Sequence, residues 1–268
     1  DHDNEDAARQ LLAASLRVTA EELDELGPAF EPKLRERERY LSFIARRAAG
    51  EPLPFLTGRI EFYGLDLQVK PGAFVPRPSS EFTVERAIKK LRRRRDPVVI
   101  DMCTGAGPIA LAIASEVPSA DVYGADIDEP GLRQGRANAR RLGLDNVTLI
   151  NSDMYGSLPA SIKGSVDLIT GHVPYVPQGE IDDLPAEVKD FEPLHTLTDY
   201  SDDGLTLIRT TIEEAPGWLK PGGWLLLEMS DDLTAKAKRF CRAAGLVDIE
   251  LAHDEYKLSV VVEARKPR

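Results

Sequence analysis

Residues 165–177 read SVDLITGHVPYVP, an apolar run that ends in His172-Val173-Pro174-Tyr175. Those residue types at that spacing can hold a planar nitrogen. A polar side chain and the next backbone carbonyl can face an NH₂ group while an aromatic ring covers its plane. A neutral imidazole offers one donor and one acceptor, whereas an imidazolium accepts nothing. A second stretch, Asp101-Met102-Cys103-Thr104-Gly105-Ala106-Gly107, puts small residues where a ligand must approach the backbone. Its glycines permit positive φ, and the helix that follows offers free N–H groups.

The elements that must position these residues follow from periodicity. Residues 5–50 read as helical, with Leu11, Leu12 and Leu16 at helical spacing and a capping box at Thr19 and Glu22. A helix over about 31–49 ends near Gly50, and residues 58–69 alternate around Gly64 as a β-hairpin does. From Pro97 onward strands alternate with helices. Strands are expected at 97–103, 121–127, 147–153, 166–172 and 224–230, with helices from Pro108, to about 141, at 203–219 and at 234–244. Residues 248–254 and 258–264 close the chain as two strands without a helix between them. Such alternation implies an α/β fold with a mostly parallel sheet.

Bulk properties narrow the function classes. The chain has 268 residues, enough for one large or two modest domains, and an ordinary apolar content. No run of 18 or more apolar residues exists, and the polar start does not read as a signal peptide, so a cytoplasmic enzyme is expected and no membrane partner. The first residue is Asp rather than Met, which reads as a trimmed start. Cys103 and Cys241 form no disulfide framework, and the scattered histidines give no metal spacing. A net charge of −11 argues against nucleic acid as partner. The basic run at Lys89–Arg95 reads as a solvated helix end.

Gly105-x-Gly107-x-x-Ala110 also satisfies the dinucleotide fingerprint, so the loop alone does not choose its ligand. Its neighbours favour S-adenosyl-L-methionine (SAM), which leaves as S-adenosyl-L-homocysteine, over NAD. Asp101 precedes the glycines where it can meet an ammonium. Asp126 ends the second expected strand, placed for ribose hydroxyls, and Asp153 ends the third, placed for an adenine amino group. Thr104, Ile127, Met154 and His172 complete the expected cofactor set.

At this point the chain resembles the HemK/PrmC family of protein N5-glutamine methyltransferases, which modify the Gly-Gly-Gln tip of peptide release factors. The resemblance runs through RAAGEPLPFLTGRIEFYGLDLQVKPGAFVPRPSSE at 47–81 and DMCTGAGPIALAIA. It continues through Asp126, Asn138-Ala139, Asp153, Phe191-Glu192-Pro193, Asp203-Gly204-Leu205, Pro221-Gly222-Gly223 and Leu227-Glu228. It implies a class I SAM-dependent methyltransferase: a seven-stranded Rossmann-like sheet with an antiparallel last strand. It also implies a helical domain at 1–57 that docks a protein substrate, a hairpin linker at 58–75 and a catalytic domain at 76–268. Glu81 and Glu228 become pocket residues by their place in the pattern. The departure is at the chemistry, since Asn-Pro-Pro-Tyr is replaced by His172-Val173-Pro174-Tyr175.

An imidazole cannot copy the two-way grip of an asparagine amide. The expected acceptor is therefore a small cation, the guanidine of free L-arginine, clamped by His172, the Val173 carbonyl, Pro174 and Tyr175 with Glu81 and Glu228 facing its charge. The six acids of 178–192 read as solvated surface. The alternatives are the release-factor glutamine of the wider family, an N6-adenine acceptor that the net charge disfavours, and a SAM-binding scaffold without catalysis.

Overall fold

Apolar, β-branched strands and capped helices build the chain in the order its periodicity predicts. The structure is a computed structural model that describes residues 2–27, 30–255 and 259–268. Residues 28–29, within the expected helical stretch, and Leu258, first of the expected last strand, lie outside the described residues. The N-terminal part holds α1 (His2–Leu16), α2 (Ala20–Glu25), α3 (Leu34–Ala48) and α4 (Leu53–Thr57). The capping box at Thr19 and Glu22 is formed, each satisfying the other's backbone N–H. A hairpin follows, β1 (Arg59–Phe62) against β2 (Leu65–Gln68).

Next come α5 (Glu81–Leu91), β3 (Val98–Met102), α6 (Pro108–Glu116), β4 (Asp121–Asp126), α7 (Glu129–Leu142), β5 (Val147–Asn151) and β6 (Val166–Gly171). The chain then forms α8 (Ala186–Lys189), α9 (Thr206–Trp218), β7 (Leu219–Met229), α10 (Thr234–Ala243), β8 (Val247–His253) and β9 (Val260–Arg265). The large sheet has the order β5-β4-β3-β6-β7-β9-β8. Its strands run parallel through β7, and β9 inserts antiparallel between β7 and β8. The expected fold class is the one observed.

Alternation along the strands splits the core into two layers. Ile100, Ile169 and Leu227 face α9 and α10, packing with Ile208, Ile212 and Ala237. Val99, Leu168 and Leu226 face the opposite way, toward Val84 of α5, Leu111 of α6 and Leu132 of α7. Phe62 and Leu67 of the hairpin join that second layer. Asn138 of α7 pins the hairpin by exchanging two hydrogen bonds, both 2.9 Å, with the backbone of Gln68. The strand order reverses at β3 and β6, the switch point where open α/β sheets leave a crevice for ligands.

Two expectations need correction. The basic run is not uniformly solvated. Lys90 reaches the buried Glu263 at 2.6 Å and lies over the Trp224 ring, and Arg94 pairs with the buried Asp167. A carboxylate on an interior strand must be paired, and α5 with the turn that follows it supplies the cations. The acidic segment 178–192 is also not all surface, because Glu192 is 5% exposed. No helix among the described residues is long and apolar enough to cross a membrane.

Candidate active site

The ends of β3, β4, β5, β6 and β7 open into one cavity of about 1080 Å³. That exceeds the range of about 300–1,000 Å³ usual for a single small ligand, so a cofactor and an acceptor group fit together. Asp101, Thr104, Gly105, Asp126, Ile127, Asp153, Met154, His172, Val173, Pro174, Tyr175 and Glu228 all line it. Gly107 does not. It takes φ +78° as the residue before α6 and shapes the loop from behind.

The half of the cavity beside the glycine loop is built by short local links. Asp101 is 1% exposed and accepts from Thr104 Oγ1 at 2.6 Å and Thr170 Oγ1 at 2.8 Å. Burial nonetheless raises its pKa to about 6, against the pull of those two hydroxyls. Asp126 ties the loop down, accepting from the Gly105 amide at 2.6 Å and the Asp128 amide at 2.7 Å. Burial pushes its carboxyl up, and the two amides oppose that. Ile127 is 55% exposed, an apolar side chain laid open at the cavity wall where a flat ring could rest. Cys103 and Met154 hold left-handed backbone at φ 51° and 47°, and both line the cavity. Non-glycine residues in that region are uncommon and cluster at functional sites. Burial and the surrounding carboxylates of Asp126, Asp101 and Asp153 hold the Cys103 thiol well above its usual range, so it is no nucleophile.

These features fit SAM. A buried carboxyl at the strand end, a glycine turn at a helix start and an exposed aliphatic wall match an ammonium, a polar tail and an adenine ring.

The other half of the cavity centres on His172. Its ring stacks on Tyr175 at 5.6 Å between centroids and 20° between planes, and meets Phe74 edge-on at 5.9 Å. The ring stays in the cavity wall rather than turning into the core, while the Val173 side chain is the one that packs inward. Ser80 Oγ lies 3.2 Å from Nδ1, and Glu228 Oε2 lies 3.8 Å from it. Burial lowers the His172 pKa more than Glu228 raises it, and Arg77 lowers it further. The ring is therefore uncharged at neutral pH, and Nε2 remains as the ring nitrogen free of Ser80.

Glu228 is 4% exposed and accepts from Ser79 Oγ at 3.3 Å and Thr83 Oγ1 at 2.9 Å. Glu81, expected beside it, is not in the cavity wall. Its carboxylate accepts from the Tyr63 amide at 2.8 Å and so fastens the hairpin turn to the start of α5. A charged hydrogen bond of this kind is worth about 1.5–3 kcal/mol, less where solvent reaches it. Glu81→Ala should lower Tm by several degrees in a thermal melt and leave SAM affinity within about two-fold. A large loss of SAM affinity at unchanged Tm would show that Glu81 acts at the site after all.

Three contributors escaped the sequence reading. His195 lines the cavity and its Nε2 lies 3.1 Å from Asp128 Oδ1, joining the 190–205 loop to the start of α7. Arg77 lies over the Phe74 ring at 4.3 Å and donates to Glu192 Oε1 at 2.7 Å, while Glu192 Oε2 accepts from the Val75 amide. Thr170 supplies half of the grip on Asp101. Their hydrogen-bond partners Asp128, Glu192 and Asp101 are 67 or more residues away in sequence, so no local spacing announces them.

A family model described as a methyltransferase domain matches residues 94–258. The release factor glutamine methyltransferase of Burkholderia pseudomallei is 37% identical over 254 residues, covering 92% of this chain and 87% of its own. That of Streptomyces coelicolor is 40% identical over 195 residues, covering 72% of this chain and 68% of its own. Among solved structures, a methyltransferase from Pyrococcus furiosus gives a TM-score of 0.55 at 20% identity, over 87% of this chain and 98% of that one. A 16S rRNA methyltransferase from T. thermophilus, in complex with AdoMet and guanosine, gives 0.57 at 19% identity, over 78% and 49%. At such identities the two structures speak for the fold alone. The sequence relatives speak for more: the chain is a SAM-dependent methyltransferase and belongs to the release factor glutamine methyltransferase (HemK/PrmC) family.

Proposed function

We propose that the chain methylates the side-chain amide nitrogen of glutamine in the Gly-Gly-Gln segment of a peptide release factor. The observation that carries this reading is the His172 ring, stacked on Tyr175 in the wall of the SAM cavity, where burial favours its uncharged form. A flat, uncharged ring face suits a neutral amide. The relatives, one of which matches 92% of this chain, point to the same acceptor. Leu34 and Leu41 of α3, seven residues apart and 70% and 65% exposed, leave an apolar strip fit for docking a protein.

In this reading Asp101 meets the SAM ammonium, Asp126 the ribose, and Ile127, Asp153 and Met154 the adenine. Bound SAM supplies an electrophilic methyl group. The protein holds the acceptor nitrogen in line with it, which replaces a bimolecular encounter by a fixed geometry. Nε2 of His172 faces the amide, the Val173 carbonyl accepts from its N–H, and Tyr175 covers the plane. Acceptors aimed at those N–H bonds push electron density onto a nitrogen whose lone pair is otherwise delocalised. The nitrogen loses one proton as it gains the methyl, and the uncharged imidazole can take it.

A second reading keeps the guanidine of free L-arginine as acceptor. It is favoured by Glu228 Oε2, a carboxylate oxygen 3.8 Å from the imidazole in the same wall. Against it, Glu81 is withdrawn and Glu228 already serves Ser79 and Thr83. Incubation with methyl-labelled SAM and each acceptor separates the two. Label on a Gly-Gly-Gln release-factor domain and none on arginine is the expected result; label on arginine alone reverses the assignment.

A further inference from the structure

The cavity has an arm that the chemistry above does not use. Beyond Glu228 its wall continues through Asp231, which follows β7, and through Leu251 and Ser259 on the neighbouring hairpin. Ser259 is 6% exposed, and its hydroxyl has no hydrogen-bond partner among the described residues. The turn does not need that hydroxyl, because the Ser259 backbone already exchanges hydrogen bonds with Asp254: its amide donates to Oδ1 at 2.7 Å and its carbonyl accepts from the Asp254 amide at 3.3 Å. Buried polar groups are almost always paired, and an unpaired one destabilises the fold that carries it. In the same wall Asp231, a solvent-exposed residue, holds Thr234 through its backbone carbonyl, which leaves its carboxylate turned to solvent and open to a donor.

A hydroxyl that can donate and a carboxylate that can only accept are complementary to a peptide unit, which presents one C=O and one N–H. Met229, Leu251 and Val260 supply apolar wall, and the buried setting of Ser259 strengthens a hydrogen bond made there. We propose that this arm binds the main chain adjoining the methylated glutamine, with Ser259 Oγ donating to a peptide carbonyl and Asp231 accepting from a peptide N–H. The inference rests on the protein-acceptor reading and assigns the residues that read peptide rather than side chain.

The test is steady-state kinetics of Ser259→Ala and Asp231→Asn with a Gly-Gly-Gln release-factor domain, alongside Tm and SAM affinity. Ser259→Ala is expected to raise KM for the domain about ten-fold, with kcat changed less than two-fold, SAM affinity unchanged and Tm equal or higher. Asp231→Asn should raise the same KM. A rise in Tm together with a rise in KM is a signature that a structural serine would not give. If wild-type protein labels the domain but Ser259→Ala keeps its KM, or loses Tm instead, the arm is overturned and the reading stands. If wild-type protein labels no peptide acceptor, the reading falls and the arm with it.

Discussion

Asp101→Asn should weaken SAM binding by about a hundredfold or more and remove its dependence on pH. Asp101 is fully buried, with a pKa of about 6 in the free protein, and desolvation of the charged form is the main cause. A cationic ammonium favours the ionised carboxylate, so wild-type affinity should be level above pH 7 and decline below pH 6. The limiting slope is about tenfold per pH unit. The folding balance runs the other way. A carboxyl whose pKa is raised on folding binds its proton more tightly in the native state. Stability of the free protein therefore falls as pH rises from 3.8 through about 6, by about 3 kcal/mol in all. Asparagine removes that penalty, so the free variant should melt no lower than wild type at pH 8 while binding SAM far more weakly. Calorimetric titration from pH 5 to 8 reads the affinity. A variant that binds as wild type does, or keeps the acid decline, would show that the ammonium meets another group.

The second large effect is expected at Gly204, far from the cofactor loop in sequence. Gly204 has φ +63°, and a Cβ built there would lie 1.9 Å from the Tyr175 carbonyl oxygen and 2.8 Å from its carbon. Neither atom belongs to a flexible side chain, so backbone must move. The segment around Tyr175 is held to the same loop by the Val176 amide on the Leu197 carbonyl and the Gln178 amide on the Ser201 carbonyl. Alanine at 204 would push Tyr175 off the acceptor site. A displacement near 1 Å at a reacting centre can cost about 10²-fold in rate. Gly204→Ala should therefore lower kcat by that order and leave SAM affinity nearly unchanged. Overpacking should also lower stability by about 1–3 kcal/mol. Retained kcat would mean that Tyr175 does not position the acceptor.

These effects also mark how far sequence reasoning reached. The central strands were readable because buried parallel strands are continuous apolar runs, as in VDLIT of β6 and LLLE of β7. The start of β7 was set five residues late: Leu219 already pairs with Val166, and the turn-forming Pro221-Gly222-Gly223 disguised the extended chain before Trp224. The expected cofactor residues Asp101, Thr104, Gly105 and Asp126 share one cavity wall because they lie within one strand–turn–helix unit and its neighbour. His172, Val173, Pro174, Tyr175 and Glu228 share it too, but several partners around them were not legible. Glu81 went to the Tyr63 amide, Glu192 to Arg77 and Val75, and Asp128 to His195, and all of these are decided by how distant segments pack. The basic run misled for the same reason, because the cations of α5 answer a carboxylate on β9 that local pattern cannot see.

The central claim is that this cavity places a methyl group on a planar amide nitrogen. The most direct test is tandem mass spectrometry of a Gly-Gly-Gln release-factor domain after incubation with the wild-type protein and labelled SAM. One added methyl, located on the glutamine side-chain nitrogen and absent when SAM is omitted, is the predicted result. An unmodified glutamine, with label carried by free arginine in a parallel incubation, would contradict it.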